Sequence, residues 1–203
     1  MKPPIRSEAV AQHAEFRHLS DIAGIAVELR YATPDNFVGR DLYTPLDCAW
    51  LHRDAAAALQ RAASWLAARR PDLTLLVLDA LRPQRVQEQL WAALQGTDLL
   101  GYIAEPGRGS VHSFGMAVDV TLRDADGREL DMGTGFDDLS LCSHPALEPQ
   151  LLARGEITPQ HVAHRQLLRD AMAHAGWAGI ASEWWHFDCG DRELVRRDYT
   201  RVL

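Results

Sequence analysis

Cysteine is scarce in this 203-residue chain: Cys48, Cys142 and Cys189 are odd in number and widely spaced. A disulfide framework is therefore not expected, and no Cys-x-x-Cys pair offers a structural zinc site or a redox dithiol. Long apolar runs are missing too. No stretch approaches the roughly 20 residues that cross a bilayer, and the opening "MKPPIRSEAVAQHAEFRHLS" lacks the apolar core of a signal peptide. There is no basic excess. With 28 acidic against 21 basic residues the formal net charge is −7, which argues against a nucleic-acid surface. No period of 20 to 50 residues recurs, and there is neither a low-complexity linker nor a His-Glu-x-x-His helix. What is present is ordinary globular composition in a chain long enough for one packed domain and short for two. A soluble protein of a reducing, cytoplasmic compartment is expected.

The pattern along the chain gives a coarse architecture. "AWLHRDAAAALQRAASWLAARRP" (49–71) reads as a long alanine-rich helix with Arg69 and Arg70 in its last turn and Pro71 as its stop. "LTLLVLD" (73–79) is a short apolar run suited to a buried strand. "QRVQEQLWAALQG" (84–96) reads as an amphipathic helix closed by Gly96. After a Gly- and Pro-containing loop, "MAVDVTL" (116–122) reads as a strand, and "RDADGREL" (123–130) carries an Asp-Gly turn into a second one. Residues 131–157 look mostly irregular, and irregular stretches of that length often carry function. "TPQHVAHRQLLRDAMAHAG" (158–176) is a helix with Thr158 as N-cap, Pro159 at its first position and Gly176 as its end. "WAGIASEWWHFDC" (177–189) supplies one or two strands. Helices early and late with hairpin strands between them imply an α+β fold. The expected form is a single domain over 1–203, with a central, mainly antiparallel sheet flanked by helices and residues 1–20 as an N-terminal extension.

The chemistry gathers around "GSVHSFGMAVDV" (109–120). His112 and Asp119 are seven residues apart, an odd separation that would send them to opposite faces of one regular strand. To serve one site, His112 must lie in a loop and Asp119 on the strand, with Gly115 supplying the bend. A third candidate is His186 in "SEWWHFD". Two imidazoles and a carboxylate form the kind of set that holds catalytic zinc with a fourth position for water. Glu183, three residues before His186, is the natural general base, expected in a turn that enters the strand. Each residue also has a plainer reading. A histidine beside a strand is more often an ordinary hydrogen-bonded group, and Asp119, expensive to bury alone, could pair with an arginine.

The pattern Ser110-x-His112-x-x-Gly115-x-Ala117-x-Asp119, followed far downstream by Glu183-x-x-His186, resembles the zinc D-Ala-D-Ala dipeptidase and carboxypeptidase superfamily, peptidase family M15. Within it the chain is most similar to the D-alanyl-D-alanine dipeptidases of the vancomycin-resistance type. "LRYATPDNFVGRDLY" (29–43), "DALRPQRVQ" (79–87), "MGTGFDD" (132–138) and "SHPA" (143–146) fall in the expected order, so the likeness runs from about residue 20 to 190.

The resemblance implies a hedgehog-like M15 fold with one zinc ion at the sheet, on His112, Asp119 and His186, and Glu183 as catalytic base. It implies Arg82 as the group that stabilises the oxyanion, Asp137 as the receiver of the substrate's ammonium, and Ser110 as a substrate contact. On the residues alone Arg82 reads as a surface arginine before Pro83. Asp137 cannot be told from Asp138, and only the match selects it. The implied activity is hydrolysis of the cell-wall dipeptide D-Ala-D-Ala to two D-Ala by metal-activated water. The partner is then a small dipeptide, with no nucleic acid and no membrane, and a homo-oligomer is left open. Two alternatives stand: a D,D-carboxypeptidase acting on peptidoglycan stem peptides, and a zinc-stabilised binding module without catalysis. The presence of both Glu183 and Arg82 speaks against the second. Ala80-Leu81, where an aromatic commonly precedes the arginine, and Phe114 depart from the family pattern and bear on the shape of the pocket.

Overall fold

The structure, a computed structural model that describes residues 2–203, runs β1 (Phe16–His18), β2 (Ile25–Val27), β3 (Trp50–His52), α1 (Arg53–Arg69), β4 (Leu73–Asp79), α2 (Gln84–Leu94), β5 (Ala117–Asp124), α3 (Glu148–Ala153), α4 (Pro159–His174), β6 (Trp177–Gly179), β7 (His186–Cys189) and α5 (Arg192–Asp198). Five strands form one sheet in the order β2-β4-β5-β7-β6, while β1 and β3 pair separately. Only the β2–β4 pairing is parallel; β4–β5, β5–β7 and β6–β7 are antiparallel. The expectation of an α+β domain on a mainly antiparallel sheet is met. Among the described residues no helix is long and apolar enough to cross a membrane.

The two faces of the sheet have different tasks. On one, Leu75 and Val77 of β4 and Val118, Val120 and Leu122 of β5 join the main core with α1 and α4. Helix α1 contributes Ala55, Ala58, Ala62 and Ala63, whose small side chains bring its backbone close to the sheet and to Leu168, Ala171 and Met172 of α4. Leu59 and Leu66 fill the remaining space, each fully buried leucine stabilising the fold by about 1.5–3 kcal/mol. On the other face Asp119 lies directly opposite His186 in the β5–β7 register, and Ala117 lies opposite Asp188. That polar face is where the candidate ligands are.

A β-bulge prepares it. The register of β4 on β5 shifts between Val77 and Asp79, so Val77 faces Val120 and Asp79 faces Asp119, two steps on one strand against one on the other. In a regular strand Asp79 would share the core-facing side of Val77. The bulge turns its carboxylate to the polar face, beside Asp119.

Two details differ from the sequence pattern. The long helix starts at Arg53 because Trp50–His52 first pairs with β1, after which the His52 ring accepts the Asp54 N–H as an N-cap. The Asp-Gly turn forms, yet only the bridge Arg123–Glu129 follows it, made by two bonds, Asp124 N–H to Arg128 O and Leu130 N–H to Leu122 O. Strand β7 already occupies the neighbouring edge of β5 from Ala117 to Asp119, which leaves the return segment nothing longer to pair with. The stretch 131–157 is mostly irregular, as expected, with α3 near its end.

Candidate metal centre and active site

His112 reaches the site from a short 3-10 turn, Val111–Phe114, whose start is capped by the Ser110 hydroxyl accepting the His112 N–H at 3.3 Å. Gly115 ends the turn at φ +63°, and a Cβ there would stand 2.6 Å from the His52 backbone nitrogen. No other residue fits that combination of left-handed backbone and close approach. The turn thus delivers His112 and hands the chain to β5, which carries Asp119. The loop-then-strand arrangement expected from the seven-residue spacing is what the fold uses.

The Nδ1 of His112 lies 2.8 Å from the Ala80 carbonyl oxygen, so it carries the proton and its Nε2 presents a lone pair. His186 is held the other way round. Its Nε2 lies 3.0 Å from Asp188 Oδ1 and donates there, leaving Nδ1 to face the site. Asp119 Oδ1 completes the set. His112 Nε2 and His186 Nδ1 are 3.2 Å apart, His186 Nδ1 and Asp119 Oδ1 3.0 Å, and His112 Nε2 and Asp119 Oδ1 3.4 Å. Three acceptors cannot face one another at these distances without a cation between them. A proton on His186 answers part of the need: burial opposes it, but the hydrogen bonds to Asp119 and Asp188 outweigh burial and push the imidazole up to about 10. A metal ion answers all of it. Ligand atoms about 2.0–2.1 Å from a tetrahedral ion are separated by about 3.3 Å, which is the spacing found. His112, Asp119 and His186 form the one such group among the described residues.

Arg82, set just past β4, is buried. Its Nε donates to Asp79 Oδ2 at 2.8 Å, Nη2 lies 3.2 Å from Asp119 Oδ2, and the guanidinium sits 5.0 Å from the centre of the Tyr31 ring. Asp79 is in turn bonded by the Tyr43 hydroxyl and the Ala80 N–H. The surface-arginine reading of the sequence is therefore wrong for this fold. The guanidinium is fixed in orientation at the edge of the cluster, where it can meet negative charge.

A cavity of about 270 Å³ opens over this floor, lined among others by Arg82, His112, Asp119, Asp137, Glu183 and His186. That is just below the about 300 Å³ at which pockets for drug-sized ligands begin. Ser110 also lines it. Glu183 sits in the bend before β7, as its spacing to His186 requires, and its carboxylate has no hydrogen-bond partner among the described residues. Burial, ahead of the charge on Asp119, raises it above the usual carboxylate range.

The structure also separates Asp137 from Asp138. Asp138 accepts the Ser140 N–H and closes a turn. Asp137 faces the cavity with φ +60°, the one left-handed non-glycine residue among those described. Its Oδ1 accepts from the Tyr31 hydroxyl at 3.1 Å, and its Oδ2 is buried with no partner. Burial pushes this carboxyl up to about 8, against the pull of Arg82.

Three supporting residues escaped the sequence reading: Asp79, Tyr31 and Asp188. Asp188 had a legible signal, because residues two apart on a strand share a face and His186-Phe187-Asp188 ends an apolar stretch. Asp79 closes an apolar run, but its orientation depends on the bulge, which nothing in "LTLLVLD" announces.

Comparison with known proteins agrees with this geometry. The family model described as Peptidase M15, D-Ala-D-Ala dipeptidase, matches residues 12–203. A D-alanyl-D-alanine dipeptidase of Escherichia coli K12 is 40% identical over 164 residues, covering 81% of this chain and 78% of its own. One from Streptomyces coelicolor is 30% identical over 185 residues, covering 82% and 86%. The chain belongs to the D-Ala-D-Ala dipeptidase family of M15 peptidases.

Proposed function

With that membership as the premise, we propose that this protein is a zinc-dependent dipeptidase that hydrolyses D-Ala-D-Ala to two molecules of D-Ala, with Glu183 as general base. The observation that carries the reading is the meeting of three acceptor atoms, His112 Nε2, His186 Nδ1 and Asp119 Oδ1, within 3.4 Å of one another on the floor of a small cavity. Two imidazole nitrogens and one carboxylate oxygen suit zinc, which would supply a Lewis acid for the scissile carbonyl and lower the pKa of the attacking water.

The remaining work falls to the chain's own groups. Glu183, free of protein hydrogen bonds and raised by burial, accepts the proton of the attacking water and returns it to the leaving amine. Arg82, locked by Asp79, meets the negative charge that develops on the carbonyl oxygen. The buried, unpartnered Oδ2 of Asp137 receives the substrate's ammonium, while the Ser110 hydroxyl keeps its proton for a substrate oxygen. A blocked amine would leave Asp137 buried and unsatisfied, so a free dipeptide is preferred over the end of a longer peptide.

The test is release of D-Ala from D-Ala-D-Ala and from its N-acetylated form, by the zinc-loaded protein and after chelation. Cleavage of the free dipeptide alone, abolished by chelation, supports the reading. Cleavage of the blocked form moves the protein to the carboxypeptidases, and no cleavage of either refutes it.

A further inference from the structure

Helix α4 buries one stripe of side chains, Arg165, Leu168, Ala171 and Met172. Three of them are apolar. The fourth is an arginine with no exposed surface, and the chemistry above does not use it. Burying a guanidinium is costly. Ion pairing is a weak reason to keep one, because apolar replacements of buried pairs are often neutral or stabilising. Here the pairing is also poor. The nearby carboxylate of Glu148 is taken at both oxygens by Arg169, at 2.7 and 2.9 Å. Arg165 Nη1 stands 3.5 Å from it and makes no hydrogen bond among the described residues.

What Arg165 does hold is backbone. Its Nε donates to the Met132 carbonyl at 2.7 Å and its Nη2 to the Cys142 carbonyl at 2.9 Å. Those carbonyls are ten positions apart and bracket the loop that carries Asp137. One planar fork therefore clamps both feet of the loop, at a spread fixed by the guanidinium itself. The same guanidinium lies 5.9 Å from the centre of the Trp184 ring, and Trp184 Nε1 donates to Thr134 Oγ1 inside the loop at 2.8 Å. The Thr134 and Ser143 hydroxyls, 2.9 Å apart, tie the feet to each other. At the crest Phe136 packs edge-on against Tyr31 and Trp185, and Asp137 accepts from the Tyr31 hydroxyl. The left-handed residue at the crest thus stands on feet that one arginine sets.

We propose that Arg165 is a positioning residue for substrate selection: by clamping Met132 and Cys142 it sets where Asp137 meets the ammonium of the dipeptide. The proposal rests on the dipeptidase reading and gives an otherwise apolar stripe its reason to keep a charge. Arg165 is not part of the cavity wall and acts only through the loop.

The probes are D-Ala-D-Ala and propanoyl-D-Ala, the same molecule without its ammonium, titrated by calorimetry into zinc-loaded protein carrying Glu183→Gln. That background is expected to bind the dipeptide at least about 10-fold more tightly, the range for a hydrogen bond to a charged group. Adding Arg165→Met should weaken the dipeptide by about 10-fold. It should leave propanoyl-D-Ala within about twofold, which also shows that the fold and the rest of the pocket are intact. Arg165→Lys, which can reach one carbonyl, should fall between, and it carries the comparison if the methionine variant does not fold. With Asp137→Asn already present, Arg165→Met should change dipeptide binding by less than about twofold, because the group it places is gone. Equal weakening of both ligands, an undiminished effect beside Asp137→Asn, or no weakening at all overturns the proposal. Failure of the dipeptidase reading shows earlier: the unsubstituted protein releases no D-Ala, or the background with Arg165 intact binds both ligands alike, and the proposal falls with it.

Discussion

The floor of the cavity and its rim are built on opposite principles. On the floor nearly every polar atom has a protein partner: His112 is fixed by Ala80, His186 by Asp188, Arg82 by Asp79, and Asp79 by Tyr43. On the rim the important groups are short of partners, Glu183 with no hydrogen bond among the described residues and Asp137 with a buried, orphaned oxygen. The floor rests on strand pairings, with Asp119 facing both Asp79 and His186, whereas the rim rests on a bend and a left-handed turn residue. Groups that must stay still are saturated by the protein. The groups proposed to act on a ligand are left wanting one, and the fold carries the cost.

The sharpest way to test this contrast is to remove an unpartnered group. Glu183→Ala takes nothing from the floor, so metal content should stay unchanged while kcat falls by about 10³, within the range for a general base. Metal analysis beside kcat measurement decides it; retained turnover in a metal-replete variant would place the base elsewhere. Next in size is a floor residue. Asp188→Ala frees the His186 ring and the Arg192 guanidinium together, and metal affinity measured by chelator competition should fall by about 10–100-fold. A variant that binds metal as tightly as the parent would show that strand pairing alone orients His186.

The same contrast explains how much of the molecule could be read from its residues. The loop-then-strand placement of His112 and Asp119 follows from spacing, because seven is odd, Gly115 must bend, and an aspartate inside "AVDVTL" needs a reason to be buried. His186 and Glu183 are candidates by residue type, and only the resemblance joins the four into one site. Strand β4 and helices α2 and α4 follow from apolar pattern and caps. What stayed hidden depends on long-range pairing. The bulge that turns Asp79 toward Asp119, the Tyr31 hydroxyl against Asp137 across more than a hundred residues, and the edge already taken by β7, which cuts the Asp-Gly hairpin short, are decided by tertiary neighbours. Asp137 and Asp138 are chemically identical in sequence, and only the left-handed backbone at Asp137 aims one of them into the cavity.

That backbone and its orphaned oxygen supply the smallest effect, and one with an unusual sign. In the unfolded chain Asp137 titrates near the ordinary aspartate value of about 3.9, while burial holds it at about 8 in the fold. Between these values the folded state binds the extra proton. The stability contribution of this group is therefore intact below about pH 4, is lost progressively as pH rises, and levels off above about 8. Asp137→Asn removes the charge that must be buried, and asparagine tolerates φ +60° better than most residues. The metal-free variant should match the parent at pH 4 and exceed it by about 1–2 kcal/mol at pH 9, or about 2–4 °C in Tm per kcal/mol. Thermal melts of both proteins across that range read the difference directly. A gain that grows with pH marks Asp137 as a carboxylate kept for a ligand at the expense of the fold, and a variant less stable than the parent at pH 9 would mean that an internal partner already satisfies it.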